Sequence, residues 1–178
     1  QGGAPITGEM LDEIVAATGA RVRPLRQALD WGYQRLAQQR TVVIVDAAPP
    51  PVARVMEGGC ASTLAFEFSD GPDRIVISCA GARGADLRLP AALAEGLRTT
   101  AAHSTLVVDN SNSTAIHPDG TLGRGVAEME LSRQETDTAS RIEASHDGYV
   151  RRHGVAHRRR TALGADGRDV RGEDSLTP

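Results

Sequence analysis

Thr63-Leu64-Ala65-Phe66-Glu67-Phe68-Ser69-Asp70-Gly71-Pro72-Asp73-Arg74-Ile75-Val76-Ile77-Ser78-Cys79 is the stretch that decides the fold. Leu64, Phe66 and Phe68 alternate with Thr63, Ala65 and Glu67, the period of a strand with one buried face. Ser69 to Asp73 is turn chemistry, and Arg74 to Cys79 reads as the returning strand of a hairpin. Upstream, Thr41 to Asp46 is a β-branched run closed by Pro49-Pro50-Pro51. Downstream, further strands are expected over 104–108, 126–131, 140–145 and 155–163, with another over 169–173. Asp-Gly pairs starting at Asp70, Asp119, Asp147 and Asp166 punctuate them, which suits antiparallel turns. Many short strands with frequent turn signals give a mainly-β chain, an antiparallel β-sandwich and not a run of βαβ units. Residues 90–97 suit one or two helical turns inside a long connection.

The first thirty residues differ. Thr7 can cap a helix in which Met10, Leu11, Ile14 and Val15 follow helical spacing, Gly19 stops it, and Pro24 ends regularity. Residues 1–30 are therefore expected to be a short helical or linker remnant of a preceding region. Residues 31–178, from Trp31 onward, form the sandwich. The chain starts at Gln1, and Pro178 follows directly on an apparent strand. The expectation is a piece of a longer protein, truncated at the C-terminal end of the sandwich.

At 178 residues there is enough chain for one domain with a substantial core. Net charge is −3, so no global basic field points to nucleic acid. All 20 cationic side chains are arginine, the better fork for carboxylates and sulfates. With one tryptophan, two tyrosines and two phenylalanines, the core must rest on Val, Ile, Leu and Ala. No apolar run approaches the roughly 20 residues that span a bilayer. No signal peptide is visible, although an N-terminally cut chain could not show one. Cys60 and Cys79 are too few for a disulfide scaffold; they suit one bridge, two inert small hydrophobes, or metal ligands.

Three segments together resemble one family. They are Arg98-Thr99-Thr100-Ala101-Ala102-His103-Ser104-Thr105, the Leu64-Ala65-Phe66-Glu67-Phe68 strand, and the tail. The tail carries His146-Asp147-Gly148-Tyr149, Gly154, His157-Arg158-Arg159-Arg160 and Gly172-Glu173-Asp174. From about Gly32 to the end, the chain resembles the C-terminal β-sandwich of heparinase II/III-like polysaccharide lyases. In that family the first segment reads Arg-x-Thr-x-x-His-Asn-Thr, with the histidine a metal ligand in several members; here Ser104 replaces the asparagine. The family's His-x-His falls at Gly58 and Cys60, and its aspartate at Cys79, before Ala80-Gly81. Both histidines and the aspartate are thus absent. Cys60, Cys79 and His103 nevertheless occupy three family ligand positions, and two thiolates with one imidazole make a legitimate zinc set. Beside this stands the ordinary reading of His103 as a structural strand histidine.

Arg98 has two readings, a fork for a substrate carboxylate or a solvated loop arginine. On a strand, His157, Arg159 and Thr161 share one face while Arg158 and Arg160 share the other. The basic segment from Arg151-Arg152-His153 to Arg160 therefore cannot all line one groove. A solvated face balanced by Asp147, Asp166 and Glu173 is the plainer account. His146 and Tyr149 suit either acid/base work or anchoring of the turn. His117, in a Pro-Asp-Gly turn, reads as inert.

The resemblance implies β-elimination from a uronic-acid-containing acidic polysaccharide, in the periplasm or cell envelope of a Gram-negative bacterium. It also implies an N-terminal α/α toroid in the same parent chain, which carries part of the catalytic machinery. The catalytic residues of this chain are unknown, and the isolated chain is expected to be inactive. Two rivals remain: a non-catalytic sandwich that binds glycan or braces the toroid, and a metal-dependent hydrolase that reuses the cleft. Neither nucleic acid nor a membrane span is expected.

Overall fold

The TVVIVD run is β3 (Thr41–Asp46), and its burial alternates along the strand. Thr41, Val43 and Val45 turn inward, with the two valines 0% and 1% exposed. Each buried valine contributes about 1.5–3 kcal/mol by leaving water. This strand sits at the centre of a five-stranded antiparallel sheet in the order β1-β2-β3-β4-β5. Its neighbours are β1 (Gln27–Ala28), β2 (Tyr33–Gln38), β4 (Phe66–Asp70) and β5 (Asp73–Val76). The second sheet is a four-stranded meander of β6 (Met129–Glu135), β7 (Ala139–His146), β8 (Ala156–Gly164) and β9 (Val170–Thr177). The structure is a computed structural model that describes residues 7–19, 26–28, 32–51, 59–79 and 89–178. Pro24, Trp31, Gly58 and Ala80-Gly81 lie outside the described residues.

The core forms where the inward faces meet. Leu36, Val43, Val45, Ala47 and Leu64 from the first half pack on Ile142, Ala144 and Leu163 from the second, with Phe66, Phe68, Met129 and Val170 around them. Polar bonds cross the same gap: Gln38 Nε2 donates to Ser140 Oγ at 3.2 Å, and Thr41 Oγ1 donates to the Gly167 carbonyl at 2.6 Å. The fold is the expected mainly-β antiparallel sandwich.

The hairpin of residues 63–79 forms with its turn at Gly71, whose φ of 57° favours glycine. Its strands are shorter than the alternation suggests. Leu64 sits at φ 64°, so β4 begins only at Phe66, and a bulge lies between Phe68 and Ser69. β5 ends at Val76, and Ser78 leaves the ladder to reach His103.

Two expected strands are corrected. Residues 104–108 lie in no named strand, because hydroxyls replace the ladder there. Ser104 Oγ bonds both the N–H and the carbonyl of Phe66, and Thr105 Oγ1 donates to the Thr63 carbonyl at 3.0 Å. Asp109 and Asn110 then turn the chain at φ 46° and 51°. The strand expected over 126–131 starts late, at Met129, because Asp147 Oδ1 captures the N–H groups of Ala127 and Glu128 at 2.8 and 3.1 Å.

The helix expected at the start is α1 (Gly8–Thr18). The Thr7 side chain accepts from Met10 N–H, and Gly19 closes it in the left-handed region. Among the described residues it buries no side chain; Met10, Leu11, Ile14 and Val15 are about half exposed. α2 (Ala91–Gly96) is the expected short helix in the long connection, and α3 (Val150–His153) is one turn between β7 and β8. No described helix is long and apolar enough to cross a membrane.

Candidate functional site

Alternation along β8 sends His157, Arg159 and Thr161 into the sandwich, as their spacing requires. Burying an arginine demands a counter-charge and filled donors. Arg159 has both. Its Nε and Nη2 fork onto the two oxygens of Asp174 at 2.8 and 2.7 Å, and its Nη1 donates to the carbonyls of Leu64 and Ser104 at 2.6 and 2.7 Å. Its guanidinium carbon also lies 5.1 Å from the centre of the Phe66 ring. One side chain on the second sheet therefore ties down two segments beside the first.

The same carboxylate closes a directed chain of hydrogen bonds. Gly148 N–H donates to His146 Nδ1 at 3.1 Å, which leaves the proton of that ring on Nε2. His146 Nε2 can then donate to His157 Nδ1 at 3.2 Å, and His157 Nε2 donates to Asp174 Oδ1 at 2.7 Å. The two rings meet edge to face, with centroids 5.0 Å apart. Burial, then the neighbouring His157, push the His146 imidazole down to about 4. Burial alone would raise Asp174. Hydrogen bonds from His157 and Arg159, with the Arg159 charge, hold it instead well below the usual carboxylate range. The result is a directed chain of two imidazoles that ends on an ionised carboxylate.

Tyr149 packs beside this chain, 1% exposed and 5.6 Å from the His146 ring. Its hydroxyl donates to the Leu106 carbonyl at 2.7 Å. Burial raises the phenol further from ionisation, so Tyr149 holds its proton. His146 and His157 are 2% and 0% exposed. All three rings are buried, and their hydrogen bonds tie the β7–β8 turn to β9 and to Leu106.

Around the segment from Arg98 to Thr105 the picture differs. His103 follows the 3₁₀ turn Thr100–Ala102 and is 7% exposed. Its Nδ1 meets Ser78 Oγ at 2.8 Å, while its Nε2 is buried without a hydrogen-bond partner. Burial lowers its pKa. Arg98 does not point into open solvent: Nε donates to the Gly59 carbonyl at 2.9 Å and Nη2 to the Gly120 carbonyl at 2.7 Å. It joins two loops that carry the family segment.

Cys60 is half-buried and Cys79 exposed, and no disulfide joins them. Burial pushes the Cys60 thiol up, against a downward pull from Arg98. Among the described residues no group of three or more His, Cys, Asp and Glu side chains is placed to hold a metal ion. Among the described residues, His103 Nε2 and Gln34 Oε1 are the buried side-chain polar atoms without a hydrogen-bond partner.

Of the outward residues, Arg160 pairs with Glu143 at 2.7 Å and Glu173 at 3.5 Å, and Arg158 with Glu143 at 3.4 Å. Glu173 is the expected partner; Glu143 is not. His117 sits in its tight turn, with its N–H on the Thr121 carbonyl at 2.8 Å. His153 caps a separate contact, Nε2 to Ser111 Oγ at 2.8 Å.

No solved structure matches this chain. Among curated proteins it is similar to "FtsZ-localized protein C" of Caulobacter vibrioides (strain NA1000 / CB15N), at 32% identity over 186 residues. That match covers 99% of this chain but 31% of the relative, so the chain spans about a third of the relative's length. The family model described as heparinase II/III-like, C-terminal, matches residues 20–178, and the chain belongs to that family.

Proposed function

We propose that this chain is the β-sandwich module of a heparinase II/III-like polysaccharide lyase that cleaves uronic-acid-containing polysaccharide in the periplasm or cell envelope. Family membership across residues 20–178 is the observation that carries this reading. In β-elimination a base takes the proton next to the uronate carboxylate, and that step is feasible only when the carboxylate's charge is neutralised. The α/α toroid of the parent chain supplies the missing acid/base groups. The buried His146, His157 and Tyr149 support this division of labour, since none is exposed for proton transfer. The isolated chain is expected to turn nothing over.

The test is ultraviolet detection of unsaturated uronate, with the full-length parent on a panel of acidic polysaccharides and a His103→Ala variant beside it. Signal from the parent and none from the 178-residue chain is the expected result. Silence from a folded parent on every substrate overturns the proposal.

A second reading is a non-catalytic bracing or glycan-binding module. Cys60 and Cys79 stand where the family pattern has a histidine and an aspartate, which favours it. The name of the relative adds a cellular expectation, localisation with FtsZ. A fluorescent fusion of the parent tests that, and diffuse signal in dividing cells argues against it. Zinc on Cys60, Cys79 and His103 is a separate proposal, supported by the unpaired His103 Nε2. Elemental analysis of the purified chain decides it, and no step above depends on it.

A further inference from the structure

The outward face of the second sheet, opposite the His146–His157 chain, carries a groove of about 680 Å³. Antiparallel register sets its side chains in rows across four strands. One row runs Ser132, Glu143, Arg160, Glu173, and the next runs Gln134, Arg141, Ala162, Arg171. The first row satisfies itself, because Arg160 takes both carboxylates.

The second row is unbalanced. It holds two guanidiniums and no carboxylate. Arg141 has no ion-pair partner among the described residues, and Arg171 has only the exposed Asp169 at 2.7 Å. Between them Ala162 keeps the floor low. The two arginines stand on β7 and β9, two strands apart, so their backbones are about 10 Å from each other.

We propose that this groove binds a uronate oligosaccharide, with Arg141 and Arg171 each forking onto a sugar carboxylate. A guanidinium matches a carboxylate in two parallel hydrogen bonds, which Arg141, with no ion-pair partner among the described residues, is free to make and Arg171 makes by exchanging its exposed Asp169. Ser132 and Gln134 border the same floor and offer hydroxyl and amide groups to sugar hydroxyls. No aromatic side chain lines the groove, so nothing there stacks on a neutral pyranose face. Charge therefore selects the ligand, and acidic glycans are preferred over neutral ones. The site rests on the acidic-polysaccharide reading above and adds to it a binding face remote from His103.

The experiment is calorimetric titration of the 178-residue chain with oligogalacturonate, beside the same oligomer with its carboxyls reduced to alcohols. Amide shift mapping accompanies both titrations. Arg141→Ala/Arg171→Ala should weaken oligogalacturonate binding by about 10-fold or more, with unchanged circular dichroism, and the exposed Arg151→Ala should not. Added salt should weaken the wild type more than the double variant. Equal affinity for the reduced oligomer, unchanged affinity in the double variant, or no binding of the uronate overturns the groove. Lyase activity of the parent separates the two ideas. Turnover without binding by this chain removes the groove and keeps the lyase; binding without turnover does the reverse.

Discussion

Asp174→Asn is the sharpest test of how the sandwich is held. Asp174 accepts three short bonds, one from His157 and two from Arg159. The side chain of Arg159 is 9% exposed and that of Asp174 32%. Removing one partner of a buried ion pair costs about 3–5 kcal/mol, since it strands the other charge. Two features reduce this. Water reaches the carboxylate, and asparagine keeps one carbonyl that can accept from Arg159 or His157. A loss of roughly 2–3 kcal/mol is expected. For a chain of this length that lowers Tm by about 4–12 °C. Thermal and urea unfolding followed by circular dichroism measure it. Glu173→Gln is the control: it is the adjacent residue on the outward face, in an exposed pair of 3.5 Å. That change should stay within about 0.5 kcal/mol of wild type. If Asp174→Asn is no worse than Glu173→Gln, the buried chain is not a structural clamp.

Acid should unfold this domain through His146. Its pKa is about 4 folded against 6.5 unfolded, so the unfolded chain binds the proton more readily between those values. Stability is then full above pH 6.5 and falls toward pH 4 by an amount on the order of 3 kcal/mol. Asp46 runs the other way: burial raises its carboxyl from 3.8 to about 6, so its contribution grows as pH falls through that window. Asp46→Asn should therefore steepen the acid limb of urea midpoints measured between about pH 4.5 and 7.5; an unchanged slope contradicts the assignment. Gly148→Ala would place a methyl 2.6 Å from the Ser113 carbonyl and 3.1 Å from His146 Nδ1. It should cost about 1–3 kcal/mol by calorimetry, and a neutral result would mean the turn yields freely. Tyr149→Phe removes the hydroxyl that donates to the part-buried Leu106 carbonyl and should cost about 1–2 kcal/mol in urea unfolding.

Much of this architecture was legible because it follows local periodicity. Thr41–Asp46 and the inward set His157, Arg159 and Thr161 obey alternation, whereas the 63–79 hairpin forms but buries Thr63, Leu64 and Ala65 alike and shows no alternation along β4. β2 was not legible: Tyr33-Gln34-Arg35-Leu36-Ala37-Gln38 buries a glutamine beside one leucine, so its pattern is faint. Residues 104–108 failed for the opposite reason, a β-branched stretch whose Ser104 and Thr105 hydroxyls win the backbone partners a strand would need. Asp174 could have been found. A hairpin closing on Asp166-Gly167 puts Arg159 and Asp174 equally far from its centre, and the register pairs them. The Ser78–His103 contact had no such signal, since it joins residues 25 apart across an irregular connection.

Arg159 also has a kinetic consequence. The carbonyls it grips belong to residues 95 and 55 positions away in sequence. Contacts of that span close late, because most of the chain must already be in place before they repay the loop they shut. Arg159 should therefore act mainly as a latch on the finished molecule. Its removal should leave the refolding limb of a chevron nearly unmoved and raise the unfolding limb. The domain's lifetime in the native state, more than its speed of reaching it, would then hang on one side chain.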